Sequence, residues 1–401
     1  MSEVRVNNLS NENNTGGPTI SGITTYSGRH FFVPPVGDTA SRPEDCEPGS
    51  LRFNTDTAHL EYFRGNTIGW VEVEAEDVEM GGVSGSSGSI DGRGTRAIFG
   101  GGYIAPGPCF NNTDAITIET LGNTIDFNNL TASKTGGYTI GNSTRSVYAG
   151  GRLSTTPSGS TTDEISFCNF STQNDYSDSG GDLSSSRGMG AALCNETRGL
   201  FTGASVPAYI NTIEYVTISA LGDSVDFGDI SYGKAGYAYA LSSTTRGIIA
   251  GGLHYNPPSP ATFDDIGFVT ISSTGNTSTF GDLNYQKYEG GAGTSATRGL
   301  IMAGYGPNYT SLVEYITMAS TGNAIEFGNL TNLNGNGKYS ASSKTRAVIG
   351  GGYSYPQADY SNTIEFVNIA TTGNGADFCD FINFGRRANS FNNSCNGHGG
   401  L

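Results

Sequence analysis

Thr245-Arg246-Gly247-Ile248-Ile249-Ala250-Gly251-Gly252 is the phrase that decides the fold, because the chain repeats it. A Thr-Arg pair followed by a short apolar run and two small residues stands at Thr95-Arg96, Thr144-Arg145, Thr197-Arg198, Thr245-Arg246, Thr297-Arg298 and Thr345-Arg346. Successive arginines are 49, 53, 48, 52 and 48 residues apart. A period near fifty without a helical pattern marks a β-propeller, with one four-stranded sheet per copy. The expected fold is all-β: a six-bladed propeller over residues 95–401, closed by a C-terminal strand.

Working outward, each copy reads as four strands. The Thr-Arg run is the second. The third alternates apolar and polar residues, as in Ile213-Glu214-Tyr215-Val216-Thr217-Ile218. A turn such as Thr274-Gly275-Asn276 or Thr321-Gly322-Asn323 suits a hairpin, since Gly and Asn tolerate positive φ. The fourth strand is Phe-Gly-Asp-Leu or a variant of it: Phe127 to Leu130, Phe227 to Ile230, Phe280 to Leu283, Phe327 to Leu330 and Phe378 to Phe381. In the second copy this becomes Ser179 to Leu183. The remaining run is poor in bulky residues (Gly136 to Ser143, Gly188 to Cys194, Gly236 to Ser242, Tyr339 to Ser343), so it is expected innermost, where the strands crowd an axis. The first copy lacks this run, and Arg386 to Asn393 and Ser394 supply one without a blade. The C-terminus is therefore expected to pair with residues 95–130 and seal the ring, leaving no open sheet edge there.

Residues 1–80 do not repeat, and 81–94 form a Gly/Ser linker. Within the first region, residues 49–73 read as a three-stranded meander: Ser50–Asn54, His59–Arg64 and Ile68–Val73. So short a meander buries little core alone, so its apolar face is expected to pack on copies of itself or on a partner, with Trp70 at that contact.

Composition excludes several function classes. Gly is 60 of 401 residues, charged residues are 14%, and the formal charge is −16. Nucleic acid, which needs clustered Lys and Arg, is not an expected partner. No apolar run is long enough to span a membrane as a helix, and the first residues do not read as a secretory signal. The six cysteines show no Cys-x-x-Cys spacing and are expected to be free, mostly buried thiols made in a reducing cytoplasm.

Two resemblances attach to these motifs. A small-residue inner strand, a second strand ending in Gly-Gly (Gly101-Gly102, Gly150-Gly151, Gly251-Gly252, Gly351-Gly352), and a fourth closing on an aromatic and Leu resemble the kelch repeat. Two copies depart, with Gly203-Ala204 and Ala303-Gly304, and Phe stands where kelch repeats carry Trp. Residues 49–73, Gly-Ser-Leu-Arg-Phe-Asn-Thr-Asp-Thr through Leu60-Glu61-Tyr62-Phe63 to Gly69-Trp70, resemble a segment of virion structural proteins of tailed bacteriophages. With Phe32-Val-Pro-Pro-Val-Gly37 upstream, the layout is similar to marine cyanobacterial phage proteins of the fibre or appendage type. That resemblance implies a virion location, partners among other virion proteins through residues 1–80, a homo-oligomer (a trimer), and host-surface glycan as a ligand. A capsid or tail decoration protein and a carbohydrate-active enzyme are the alternatives.

Candidate site residues fall in two sets. The repeated Arg96, Arg145, Arg198, Arg246, Arg298 and Arg346 suggest an anion ring or, as the stronger reading, structural partners. Those partners would be a repeated carbonyl or the Asx of the fourth strand (Asn129, Asp182, Asp229, Asp282, Asn329, Asp380). The loops between second and third strands carry Tyr103, Phe110, Tyr209, Tyr255, Tyr305, Tyr309, Tyr353 and Tyr355. Exposed Tyr combines flat apolar area with a hydroxyl, which suits sugars and protein hot spots; the competing reading is that the rings pack over the blade ends. Asp163, Glu164, Asp175, Asp178 and Asp182 match no calcium-loop spacing and read as a solvated turn. With four His in no metal-ligand cluster and no singled-out carboxylate pair, no catalytic residue, metal or cofactor is expected.

Overall fold

The computed structural model describes residues 34–43, 46–57, 59–73, 96–103, 108–142, 144–153, 160–170, 172, 174–256, 259–331, 339–354 and 359–382. The expected linker 81–94, the C-terminal run 386–394 and Tyr355 lie outside them. The chain divides into two compact units, Met1–Glu79 and Met80–Leu401.

In the first unit the meander forms as Leu51–Asn54, His59–Phe63 and Trp70–Glu72, and Val36–Gly37 adds a parallel fourth strand. Its burial differs from expectation. Arg52, Asn54 and Glu61 share one face and are 4%, 0% and 0% exposed. The segment around the short 3-10 turn Thr39–Ser41 covers them: Arg52 Nη2 donates to Asp38 O at 2.9 Å, and Arg42 Nε to Glu61 Oε2 at 2.7 Å. Trp70 is also held within the unit, its Nε1 donating to Pro43 O at 3.1 Å. A polar network therefore fills the covered face, while Val36 and Leu51 stay exposed on the other.

The second unit is all-β and propeller-like. Among the described residues, five four-stranded antiparallel sheets follow a three-stranded first one. The first sheet is Arg96–Gly100, Phe110–Thr117 and Ile125–Lys134. The others begin at Tyr138–Gly141, Ala191–Cys194, Tyr239–Ser242, Gly291–Thr294 and Tyr339–Ser342, the small-residue runs. These first strands touch from sheet to sheet: Ala292 N and Thr294 N donate to Ser340 Oγ and Ser342 Oγ at 3.0 and 2.9 Å. Small side chains are required because a Cβ on Gly293 would stand 2.5 Å from Ala347 Cβ.

Neighbouring sheets are joined at their outer strands by a repeated clasp. The hairpin Gly of one sheet donates its N–H to the Phe carbonyl of the preceding Phe-Gly-Asp: Gly275 to Phe227 at 2.7 Å and Gly322 to Phe280 at 2.8 Å. The following Asx side chain then accepts from the backbone N–H of the preceding sheet's Asx. Asp175 accepts from Asn129, Asp223 from Asp182, Asn276 from Asp229, Asn323 from Asp282, Asn374 from Asn329 and Asn123 from Asp380, at 2.8, 3.1, 2.9, 3.1, 3.0 and 3.4 Å. The last of these joins the sixth sheet to the first. The Gly of Phe-Gly-Asp is needed for the approach, since a Cβ on Gly228 would stand 2.5 Å from the Gly275 backbone. Thr-Gly-Asn and Phe-Gly-Asp are thus two halves of one contact.

Candidate functional site

The repeated arginines begin the second strands, and each is half-buried. Their guanidiniums lie over the third-strand ring of their own sheet: Arg145 on Phe167, Arg198 on Tyr215, Arg246 on Phe268, Arg298 on Tyr315 and Arg346 on Phe366, at 4.4 to 5.0 Å. Arg96 lies 5.7 Å from the Phe127 ring centroid. Nη1 then reaches the next sheet. It donates to Ile218 O from Arg145 (3.1 Å), Ile271 O from Arg198 (3.0 Å), Met318 O from Arg246 (2.8 Å), Ile369 O from Arg298 (2.8 Å) and Ile118 O from Arg346 (3.2 Å). These carbonyls lie one residue past a strand end, where the ladder no longer supplies a donor. The Asx named from sequence as Arg partners are instead engaged in the outer clasp.

A second layer of ion pairs follows, buried except for the partly exposed Glu164. Lys134 Nζ is 2.7 Å from Glu164, Arg187 Nη1 is 3.0 Å from Glu214, and Lys287 Nζ is 2.5 Å from Glu314. Arg187 and Lys287 sit in the connections entering their sheets and Lys134 ends the strand that leads into its sheet, while each acid lies on the third strand of the sheet entered. Burial pushes the Lys287 ammonium down, with Glu314 opposing. For Glu164 and Glu214, burial would raise the carboxyl, but Lys134 and Thr131, and Arg187 with Ser184 and Ser224, hold it below its ordinary value. In the fourth sheet both charges are gone: Ala235 and Gly267 occupy the two positions. Ser184 N and Asn284 N donate to Glu214 and Glu314, whereas in the fourth sheet Ser231 N donates to Thr277 Oγ1 at 2.8 Å. Tyr232, edge-on to Phe263 at 5.4 Å, packs alongside.

These directions give an acid profile. Folded-state pKa values held below the unfolded ones stabilise the fold above the unfolded Glu value of about 4.3, and that contribution is lost as pH falls through the folded values. Asp182 and Asp265 act oppositely, raised by burial and then by neighbouring carboxylates, so their protonation favours the fold. Denaturant titrations across pH should therefore show a flat or slightly rising stability toward about pH 4.3, then a fall. A steady fall beginning near neutrality would contradict these assignments.

The aromatic loop residues are partly gathered. The connection entering a sheet pairs with that sheet's second-to-third-strand loop, through bridges Thr135↔Arg152, Gly188↔Val206, Gly236↔Leu253 and Tyr288↔Tyr305. Tyr305 meets Tyr309 (4.6 Å) and Tyr288 (5.5 Å), and Tyr288 meets Tyr237 (6.2 Å). Tyr209 packs edge-on against His254 at 5.5 Å. Tyr255 lies in a small hairpin, Leu253–Asn256 with Ser259–Thr262; Tyr353 begins another; Tyr103 bridges to Cys109; Phe110 opens the strand Phe110–Thr117. Tyr237, Tyr288 and Glu289 were missed by the sequence reading. Their signal is bulky residues in connections that are otherwise rich in Gly.

Burial, then the charge of Glu289, raises the Tyr288 phenol above its ordinary value, so it is a neutral hydrogen-bonding group. Among the described residues no group of three His, Cys, Asp or Glu could hold a metal ion. Asp175 and Asp178 are engaged by Asn129 N and Gly180 N. Cys46, Cys109, Cys168, Cys194 and Cys379 form no disulfide, and all but Cys46 are buried. No protein-family model matches the chain, and no curated protein is significantly similar to it.

Proposed function

We propose that the chain is a structural protein of a tailed-phage particle, of the fibre or appendage type. In this reading residues 1–80 attach it to other virion proteins and trimerise it. Residues 95–401 form a six-bladed, kelch-like propeller whose first blade is completed by the run 386–394, and its Tyr-bearing end meets host-surface glycans. The observation that carries the recognition role is the strip Tyr237–Tyr288–Tyr305–Tyr309, gathered with Glu289 at the end of the sheets where the variable loops lie. The virion role is supported by the resemblance of residues 49–73. Exposed Val36 and Leu51 on the uncovered face of the first unit support self-association.

The edge-on packing of Tyr209 on His254 favours a second reading, in which the rings close over the sheet ends and the protein only decorates the particle. Glycan-array and host-cell binding by the full chain separates the two: an adhesin binds, a decoration protein is silent. Release of reducing sugar from host polysaccharide would instead support an enzyme. Cryo-electron microscopy of intact particles tests the virion assignment itself.

A further inference from the structure

Among the described residues, the connections entering the second to fifth sheets each pass through a residue in the left-handed region. Gly136, Met189, Tyr237 and Glu289 occupy this position, with φ of 67°, 62°, 58° and 60°. The last three each donate their N–H to the carbonyl of the one before: Met189 to Gly136 at 2.7 Å, Tyr237 to Met189 at 2.8 Å and Glu289 to Tyr237 at 3.0 Å. Glycine adopts this conformation freely, whereas a residue with a Cβ pays about 1–2 kcal/mol there. The chain uses glycine freely, 60 times, including at Gly136. Side chains retained here therefore need a compensating role. Met189 has one in packing: it is 6% exposed and its thioether fills the space a side chain on residue 136 would take. Tyr237 and Glu289 are half-buried and lie beside the loop tyrosines: Tyr237 packs on Tyr288, and the Glu289 charge acts on both phenols.

We propose that Tyr237 and Glu289 form, with Tyr288, Tyr305 and Tyr309, a subsite for a neutral hexose chain; this rests on the glycan-recognition reading above. Ring shape decides against a small cation. Tyr288 and Tyr305 meet at 86°, and Tyr237 with Tyr288 and Tyr305 with Tyr309 at 43° and 48°. Rings that lean on one another offer a bent strip rather than the enclosing faces a cation cage needs. A hexose presents an apolar C–H face to such a ring and hydroxyls at its rim to phenol and carboxylate. The Glu289 carboxylate, in a chain of formal charge −16, disfavours uronates, phosphates and other acidic sugars.

The test measures binding of the full-length protein to neutral hexose oligosaccharides and to uronic-acid oligosaccharides of matched length. Tyr237→Gly and Glu289→Gly place glycine where the backbone already favours it, which offsets part of the packing and hydrogen bonding removed, so both should still unfold in one cooperative transition. Each is expected to weaken neutral-sugar binding about tenfold or more. Glu289→Gln, which keeps shape and removes charge, is expected to narrow the preference for neutral over uronic chains. Wild-type binding that survives both glycine variants would overturn the subsite and leave the glycan reading standing. Equal binding of the two sugar series, or an unchanged preference in Glu289→Gln, would overturn the neutral class. If the wild type binds no oligosaccharide, the glycan reading falls and the subsite with it.

Discussion

Lys287→Ala is expected to lower the unfolding free energy by about 3–5 kcal/mol, read from chemical denaturation, because it leaves a buried carboxylate without its counter-charge. Glu314 is fully buried, and Lys287 Nζ is the cation 2.5 Å from it. The fourth sheet shows how the same position is built without charge. Removing both ions with Lys287→Ala and Glu314→Gly should recover part of the loss, but it strands the Asn284 N–H that Glu314 accepts from at 2.7 Å. Adding Ala324→Thr supplies the hydroxyl that Thr277 provides to Ser231, and the triple variant should regain most of the remainder. Glycine in a strand keeps a cost of about 1 kcal/mol, so full recovery is not expected. If Lys287→Ala alone is neutral, the pair does not carry the role assigned to it.

Removing residues 386–401 is expected to abolish the cooperative thermal transition of the propeller unit. This follows from the proposal that the run 386–394 completes the first sheet, which has three strands among the described residues where the others have four. At that seam Phe99 meets Tyr339 at 5.7 Å and Phe381 at 5.2 Å, and Tyr339 Oη donates to Gly101 O at 2.7 Å. These three side chains are at most 4% exposed, and burying each aromatic contributes about 1.5–3 kcal/mol. In that proposal the run covers this cluster, so deleting it would remove a large share of a typical domain's stability. A truncated chain with an unchanged melting temperature would remove the C-terminal run from the account.

The strand order was readable because each run carries its own local chemistry. Arg246 to Gly252, the alternation from Ile213 to Ile218, and Phe-Gly-Asp-Leu each specify one strand and its buried face. Contacts between sheets were less legible, since they join residues about fifty positions apart whose motifs look self-sufficient. Thr274-Gly275-Asn276 reads as a turn, yet its N–H and side chain serve the preceding sheet. A longer period was also overlooked: Tyr138, Tyr239 and Tyr339 bond Gly203, Ala303 and Gly101 carbonyls, so alternate sheets match better than adjacent ones. The polar core of the first unit was hidden because nothing in the meander's own sequence shows that the segment Asp38–Arg42 covers Arg52 and Glu61. For the candidate site, the loop tyrosines were visible one by one. Tyr237 and Glu289 were not, because a bulky residue in a Gly-rich connection does not by itself reveal that it is left-handed and meets the loop tyrosines.

Comparing Arg246→Ala with Arg346→Ala by equilibrium unfolding tests the central claim, that each sheet is fastened to the next and the sixth to the first. Arg246 binds Met318 O across an internal junction, and Arg346 binds Ile118 O and Glu119 O across the seam. In a closed ring the two variants lose a similar amount, about 2–3 kcal/mol each from the charged hydrogen bond and ring stacking. If Arg346→Ala is neutral while Arg246→Ala is costly, the sheets form an open row and the closed ring is wrong.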